Sequence, residues 1–249
     1  MNYFDFQPIP NEPALFCKNN KLLIVADLHI GIETELREQG LNPPLQTPII
    51  TKNIISLCKK YKPEEIILLG DVKHNIPSST YRERKDVKEL LEVLTNYATI
   101  HILPGNHDGN IKRYSSKNII IHPSDGLIID DFGLLHGHRW PRKDLIKCKY
   151  IIIGHSHPTV MFTDRLGYKT FEPCWILGVC LKEKIMKKYN IESNPKVIVV
   201  PAFNKLSGGL AVNREGIMGP FKNILDIENS KIFLLDGTFL GRVKEIKIL

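Results

Sequence analysis

The sequence predicts an α/β fold, on three observations. Three apolar runs, KLLIVAD (21–27), EIILLGD (65–71) and TIHILPG (99–105), alternate with two stretches whose apolar residues recur at helical spacing, TPIITKNIISLCKKY (47–61) and RERKDVKELLEVLTNY (82–97). Runs that are apolar at nearly every position suit strands buried on both faces, and a β-α-β-α-β order suits a sheet covered by helices. Beyond residue 118 the pattern changes. NIIIH (118–122), GLLHG (133–137) and YIIIGH (150–155) are short runs with short connections, which predicts a second, more antiparallel sheet. The C-terminal KIFLLDGTFLGRVKEIKIL predicts a hairpin turning at Asp236-Gly237. No repeat, low-complexity segment or linker divides the chain, so residues 1–249 read as a single domain.

Composition narrows the class. At 249 residues with 43% hydrophobic and 24% charged residues, the chain can bury a sizeable core. No apolar run approaches the roughly 20 residues of a membrane span. The opening MNYFDFQPIPNEP carries acid and proline, unlike a signal peptide. Five scattered cysteines with no CxxC predict reduced thiols and a cytoplasmic setting. The net charge of +7 favours partners that bear phosphate. The stretch LKEKIMKKY is helical, and its lysines are better explained as a solvated face than as a nucleic-acid patch.

The chemistry lies in the residues just past each apolar run. The first run leads to Asp27-Leu28-His29, the second to Gly70-Asp71, and the third to Gly105-Asn106-His107-Asp108. Later runs lead to His136-Gly137-His138 and His155-Ser156-His157. In open α/β sheets, ligands bind beyond the carboxyl ends of strands. One histidine after a strand is ordinary structure. Five such ends on one rim would bury many polar groups at a cost that metal ions relieve. Carboxylate, imidazole and amide oxygen suit Mn²⁺, Fe²⁺ or Zn²⁺, and the absence of thiols argues against a structural zinc. The donors outnumber the needs of one ion. Two ions about 4 Å apart, bridged by a carboxylate, use them all and clamp a phosphate.

The series Asp-x-His, Gly-Asp, Gly-Asn-His-Asp, His-Gly-His and Gly-His-x-His, in order from residue 27 to 157, resembles the calcineurin-like metallophosphoesterase superfamily. The resemblance implies a four-layer αββα sandwich of two mixed β-sheets flanked by helices, with a dinuclear site at the sheet edges. By match to the family's motifs, Asp27, His29 and His157 bind one ion, and Asn106, His136 and His155 bind the other. Asp71 bridges, and a bridging hydroxide is the nucleophile. His107 sits over the phosphate as general acid or transition-state stabiliser, with Asp108 orienting it. Where many members carry Gly-Asp-x-x-Asp or Gly-Asp-x-x-Asn, this chain has Gly70-Asp71-Val72-Lys73-His74. His74 therefore stands as a candidate for substrate phosphate or for support of Asp71, against a plain surface histidine. His138 and Arg139 are further candidates for substrate contact. His101 and His122 lie within strands away from the cluster and read as ordinary.

The stretches LLIVADLHIGIETELREQG, GHRWP, GHSHP, EPCWILG and VVPAFNKLSGG resemble a narrower group, the archaeal phosphoesterases related to the bacterial DNA-ligase-associated ones. That resemblance implies a manganese-preferring phosphodiesterase or nuclease in DNA repair, with Fe²⁺, Zn²⁺ or Ni²⁺ as other ions. The chain is more distantly similar to the catalytic core of the Mre11/SbcD nucleases but is too short for their capping and partner-binding regions. Arg82, Arg84, Arg139 and Arg142 can bind phosphate, and Tyr81 and Trp140 can stack on bases, though burial is the commoner fate of an aromatic. A substrate of small nucleotides and a non-catalytic scaffold both remain open. Exposed apolar segments late in the chain suggest a homodimer.

Overall fold

The computed structural model describes residues 6–77 and 79–247. Strands β1 (Phe6–Pro8), β2 (Ala14–Cys17), β3 (Leu22–Val25), β4 (Glu65–Leu68), β5 (Thr99–Ile102) and β6 (Ile119–Ile121) form one sheet in that order. β1 to β3 are antiparallel, and β3 to β6 are parallel. The second sheet contains β7 (Leu127–Ile129), β8 (Phe132–Leu135), β9 (Tyr150–Ile153), β10 (Pro158–Thr163), β11 (Lys169–Val179), β12 (Lys196–Val199), β13 (Leu210–Ala211), β14 (Lys231–Leu234) and β15 (Phe239–Arg242). Its order is β13-β10-β11-β12-β9-β8-β7, with β14 and β15 joined on at β11. This sheet is mixed, because β9 runs parallel to both β8 and β12 while β11 is antiparallel to its neighbours.

Helices α1 (Ile32–Glu38), α2 (Gln46–Tyr61), α3 (Tyr81–Leu94) and α4 (Lys182–Tyr189) complete the fold. Three packed clusters set the layers. Ile50, Ile54 and Leu57 of α2 and Val87, Leu90 and Leu94 of α3 pack on Leu23, Val25, Ile66 and Leu68 of the first sheet. The alternate residues Leu22, Ile24 and Ile67 turn the other way and meet Leu134, Ile152, Trp175 and Ile198 between the sheets. On the far side, Ile185 and Tyr189 of α4 cover Ile151, Ile153, Val197 and Val199. Both faces of each central strand are thus covered, which is why these runs carry no polar alternation. The result is the expected αββα sandwich.

Two expectations shift. The sequence pattern opens the second sheet at 118–122, yet β6 pairs in parallel with β5 at the edge of the first. That crossover, residues 103–118, carries a short 3-10 turn at Ile111–Tyr114 in place of a helix, so the pattern does not mark it as parallel. α3 stops at Leu94, short of residue 97, with Thr95 as its cap. The hairpin of β14 and β15 forms as expected, the Gly237 N–H donating to the Leu234 carbonyl (3.0 Å).

Candidate metal centre

Each donor stands just past a strand end. Asp27 and His29 follow β3, Asp71 follows β4, His136 follows β8, and His155 and His157 follow β9. The chain turns sharply there: φ is 58° at Asp27, 42° at His29, 49° at Asp71, 68° at His155 and 40° at His157. Left-handed backbone costs an L-residue about 1–2 kcal/mol, and such strain persists only where surrounding structure fixes it. Here neighbouring turns do so. Asp27 N–H donates to the Gly70 carbonyl (3.1 Å) and His29 N–H to that of Asp71 (2.8 Å), while the buried Asn204 amide donates to the Leu28 carbonyl (2.8 Å).

The turns bring together three donor groups: His29 with His74 and His107, and two that share Asp71. Ligand atoms of Asp27, His29, Asp71 and His157 lie within 4.8 Å of one another, as do those of Asp71, His136 and His155, and Asp71 belongs to both groups. Asp71 Oδ2 is 3.2 Å from His136 Nε2 and 3.7 Å from His29 Nε2. Asp27 Oδ1 is 3.3 Å from His157 Nε2, and both its oxygens accept from the His155 N–H at 3.1 and 3.3 Å. Asn106 is exposed in the adjoining turn, one residue before His107, whose N–H donates to Asp71 Oδ1 (2.8 Å).

This arrangement fits divalent cations. Asp27, His29, Asp71 and His136 are all buried. Burial works to raise Asp71, yet the hydrogen bond and charge of His136, the His107 N–H and His29 hold it well below the usual carboxylate range. Asp27 is likewise held low against its burial, by His157 and His136. Burial alone would lower His136, but Asp71 and Asp27 override it and raise it to about 9. His157 is raised against its burial by Asp27. Burial pushes His29 down to about 3, helped by His157, and His155 down to about 4, helped by His136. The two carboxylates therefore demand positive charge, and without a metal they draw protons onto His136 and His157. His136 Nε2 is buried with only Asp71 Oδ2, at 3.2 Å, to face, and the Nε2 atoms of His29 and His157 face each other at 3.2 Å. Divalent cations would satisfy the facing nitrogens, His136 Nε2 and the carboxylates together.

The other candidates divide. His107 lies 4.9 Å, ring to ring, from His29. The motif match has Asp108 orienting it, but that carboxylate goes elsewhere: Oδ1 accepts from Val72 N–H (2.9 Å) and Lys73 N–H (3.2 Å), and Oδ2 from Gly105 N–H (2.8 Å). Asp108 staples two turns together, while His107 Nδ1 hydrogen-bonds to the His74 carbonyl. Burial and the Asp71 charge push Asp108 up to about 6. His74 joins the cluster through His29, at 3.1 Å between Nδ1 atoms, and not through Asp71. The His138 ring sits 5.3 Å from that of His136, and burial lowers His138 to about 4. Arg139 is exposed. Arg142 is engaged by Asp144, Asp125 and the Gly126 carbonyl, Arg82 by Asp86 and Arg84 by the Ser79 carbonyl. Trp140 packs edge-on to Tyr189 under Lys188. His101 and His122 stack on each other, as Nδ1 and Nε2 approach to 2.8 Å.

Three residues not anticipated support the site. They are Asn204, Glu35, whose Oε2 lies 2.7 Å from His74 Nε2, and the buried Glu83, whose Oε1 accepts from the N–H groups of His74 and Asn75 (2.7 Å each). Thr80-x-x-Glu83 has the spacing of a capping box, and Thr80 Oγ1 does accept from Glu83 N–H (3.1 Å). That spacing marks the start of α3 but not the grip on His74.

A family model described as calcineurin-like phosphoesterase matches residues 21–209, more than half of the chain. The chain belongs to that family. This phosphoesterase is accordingly a metal-dependent hydrolase. No curated protein sequence matches it. Among solved structures it is similar to Pseudomonas putida nuclease MPE, with a TM-score of 0.57 at 19% identity over 93% of this chain and 97% of that one. It is also similar to Yfce, a phosphoesterase from E. coli, with a TM-score of 0.39 at 14% identity over 89% of this chain and 97% of that one. The first of these supports the two-sheet architecture, and at such identities the likeness is one of fold. Among the described residues, no helix of the phosphoesterase is long and apolar enough to cross a membrane.

Proposed function

We propose that this phosphoesterase is a dinuclear metal-dependent phosphodiesterase that cuts nucleic acid, DNA first, in a repair setting. The observation that carries the reading is the place of Asp71 in two donor groups. A carboxylate common to two sets of ligands is what joins two ions. Manganese is the expected metal, ahead of Fe²⁺, Zn²⁺ and Ni²⁺. Asp27, His29 and His157 take one ion, Asn106, His136 and His155 the other. When bound, two such ions supply Lewis-acid activation of a water and neutralise phosphate charge.

The chain's own residues position and protonate. His107 is tethered at Nδ1 by the His74 carbonyl, which leaves its Nε2 to deliver a proton to the leaving oxygen. General acid catalysis of this kind contributes about 10²- to 10⁴-fold. His138, whose ring is 5.3 Å from that of His136, and the next residue, Arg139, are the proposed contacts of a phosphate oxygen. A cleft of about 570 Å³ opens beside His157 and is lined by Phe171, Lys205 and Gly208 among others. Its exposed ring and its amine suit a base and a neighbouring phosphate. The net charge of +7 favours a polyanion, and the structural likeness to a nuclease points the same way. The resemblance to the DNA-ligase-associated group supports repair and a cytoplasmic setting. Exposed Leu166 and Tyr168 on the β10–β11 hairpin offer a surface to a second copy.

A second reading keeps the chemistry and takes small nucleotide diesters, since the cleft has room for one nucleotide. Hydrolysis with Mn²⁺ is to be measured on circular single-stranded DNA, linear single-stranded DNA and bis-p-nitrophenyl phosphate, with His107→Ala as control. DNA cleavage that the variant lacks supports the nuclease. Cleavage of the small diester alone removes nucleic acid from the proposal.

A further inference from the structure

We infer that Glu35 is a positioning residue for the metal centre: acting through His74, it fixes the tautomer of His29 so that a bare Nε2 faces the cation. The inference rests on His29 being a metal ligand, as proposed above. Three contacts form a chain. Glu35 Oε2 lies 2.7 Å from His74 Nε2, and His74 Nδ1 lies 3.1 Å from His29 Nδ1. At the far end, His29 Nε2 lies 3.2 Å from His157 Nε2 and 3.7 Å from Asp71 Oδ2.

Counting donors and acceptors places the hydrogens. An ionised carboxylate only accepts, so His74 Nε2 carries the hydrogen. When His74 is neutral it has a single N–H, so its Nδ1 is bare and accepts from His29 Nδ1–H. That uses the one hydrogen of His29 and leaves its Nε2 lone pair pointing at Asp71 and His157. The opposite arrangement, with His74 Nδ1–H donating to His29, puts the hydrogen of His29 on Nε2 and blocks ligation. It also sets a bare nitrogen against a carboxylate at 2.7 Å, so Glu35 excludes it.

Metal-binding histidines commonly donate their second N–H to a carboxylate or carbonyl. Here the carboxylate acts one residue removed, and the middle residue is well fixed. His74 packs edge-on to His29 with ring centres 5.2 Å apart and stacks on His107 at 5.4 Å. Its backbone N–H is held by Glu83. Glu35 itself is at the surface, its side chain 53% exposed, with Gln39 Nε2 donating to Oε1 (3.1 Å). Its removal therefore leaves the packed core untouched.

The test titrates Mn²⁺ into the metal-free full chain by calorimetry, for wild type, E35A, E35Q, H74A and the E35A/H74A double variant. E35A should weaken one of the two binding events about 10-fold and leave the urea midpoint of the metal-free protein in place. E35Q should fall between, because its amide can present either an acceptor or a donor. Adding E35A to H74A should produce no further loss. Long-range ¹H–¹⁵N spectra of the metal-free protein should show His29 as the Nδ1–H tautomer in wild type and as a mixture in E35A, a change that a merely structural role would not produce. Wild-type affinity and tautomer in E35A overturn the inference, as does an undiminished loss in the H74A background. A wild type that binds no Mn²⁺ overturns the metal reading itself, a separate result.

Discussion

Replacing Gly70 by alanine should damage the metal centre and the fold together, by an amount the geometry sets. A Cβ at residue 70 would lie 2.2 Å from His136 Nδ1, 2.4 Å from its Cγ and 2.6 Å from its Cβ. Ordinary contact begins near 3.4 Å, so the ring must retreat by about 1 Å. It has nowhere to go, for His136 is fully buried and its Nδ1 is 3.0 Å from the Leu69 carbonyl. Overpacking of this kind costs about 1–3 kcal/mol. The backbone at φ 83° adds about 1–2 kcal/mol for an L-residue, and the stiffer unfolded chain returns about 0.4–1 kcal/mol. The expected net loss is about 1–5 kcal/mol. Gly216 is the control: its φ is 78°, but a Cβ there meets nothing within 4 Å, so Gly216→Ala carries the backbone cost alone. Urea unfolding of both metal-free variants gives the difference, and a metal titration gives the count of ions. A Gly70→Ala protein no less stable than Gly216→Ala, with both ions bound at wild-type affinity, would refute the steric argument.

Further outcomes are expected. Asp71→Asn keeps the shape but removes the shared charge, so the folded variant should hold fewer than two ions; full occupancy by elemental analysis sinks the bridging assignment. Glu83→Ala strips the acceptor from the Asn75 N–H and one of two from the His74 N–H, which keeps the Ile30 carbonyl (3.0 Å), and should cost about 1–3 kcal/mol in urea unfolding; a change near zero means water replaces it. Metal must displace the proton from His136, raised to about 9, so binding at pH 7 should release about one proton or more and tighten as pH rises. Calorimetry in buffers of different ionisation heat reads this, and a heat independent of buffer contradicts it. Burial pushes Cys58 to about 11 and Cys180 to about 12, and Cys174 higher still. These thiols should resist iodoacetamide at pH 8 until urea unfolds the chain, and rapid native alkylation counted by mass spectrometry would contradict that.

The sequence reported strands better than their partners. Ile66 to Leu68 and Ile151 to Ile153 are apolar because both faces are covered, and that shows in any such run. The sheet that β6 joins depends on a crossover that holds a 3-10 turn where a parallel connection usually holds a helix, so its direction has no local signature. The donors were legible because Asp27, His29, Asp71, His136, His155 and His157 each follow a strand closely, and strand ends share a rim. Their support was not. Glu35 is one of several acids on α1, and only the packing of that helix brings it to His74. Asn204 reaches Leu28 across 176 positions of chain. The expectation for Asp108 failed for a related reason: adjacency to His107 suggested a contact, while the turn sends its carboxylate to the backbone of Val72, Lys73 and Gly105.

The strand ends that carry the donors belong to different sheets. Asp27, His29 and Asp71 extend from the first, His136, His155 and His157 from the second, and the two donor groups that share Asp71 draw on both. Bound ions would thus act as rivets through the seam of the sandwich. Conformational stability would then track free metal, rising by RT ln(1 + [M]/Kd) for each ion, about 2.7 kcal/mol at a hundredfold excess over Kd. Chelation would do more than silence the enzyme. It would let the two halves of the sandwich part more readily at the rim, while the apolar layer between Ile24, Ile67, Ile152 and Trp175 still held them together below.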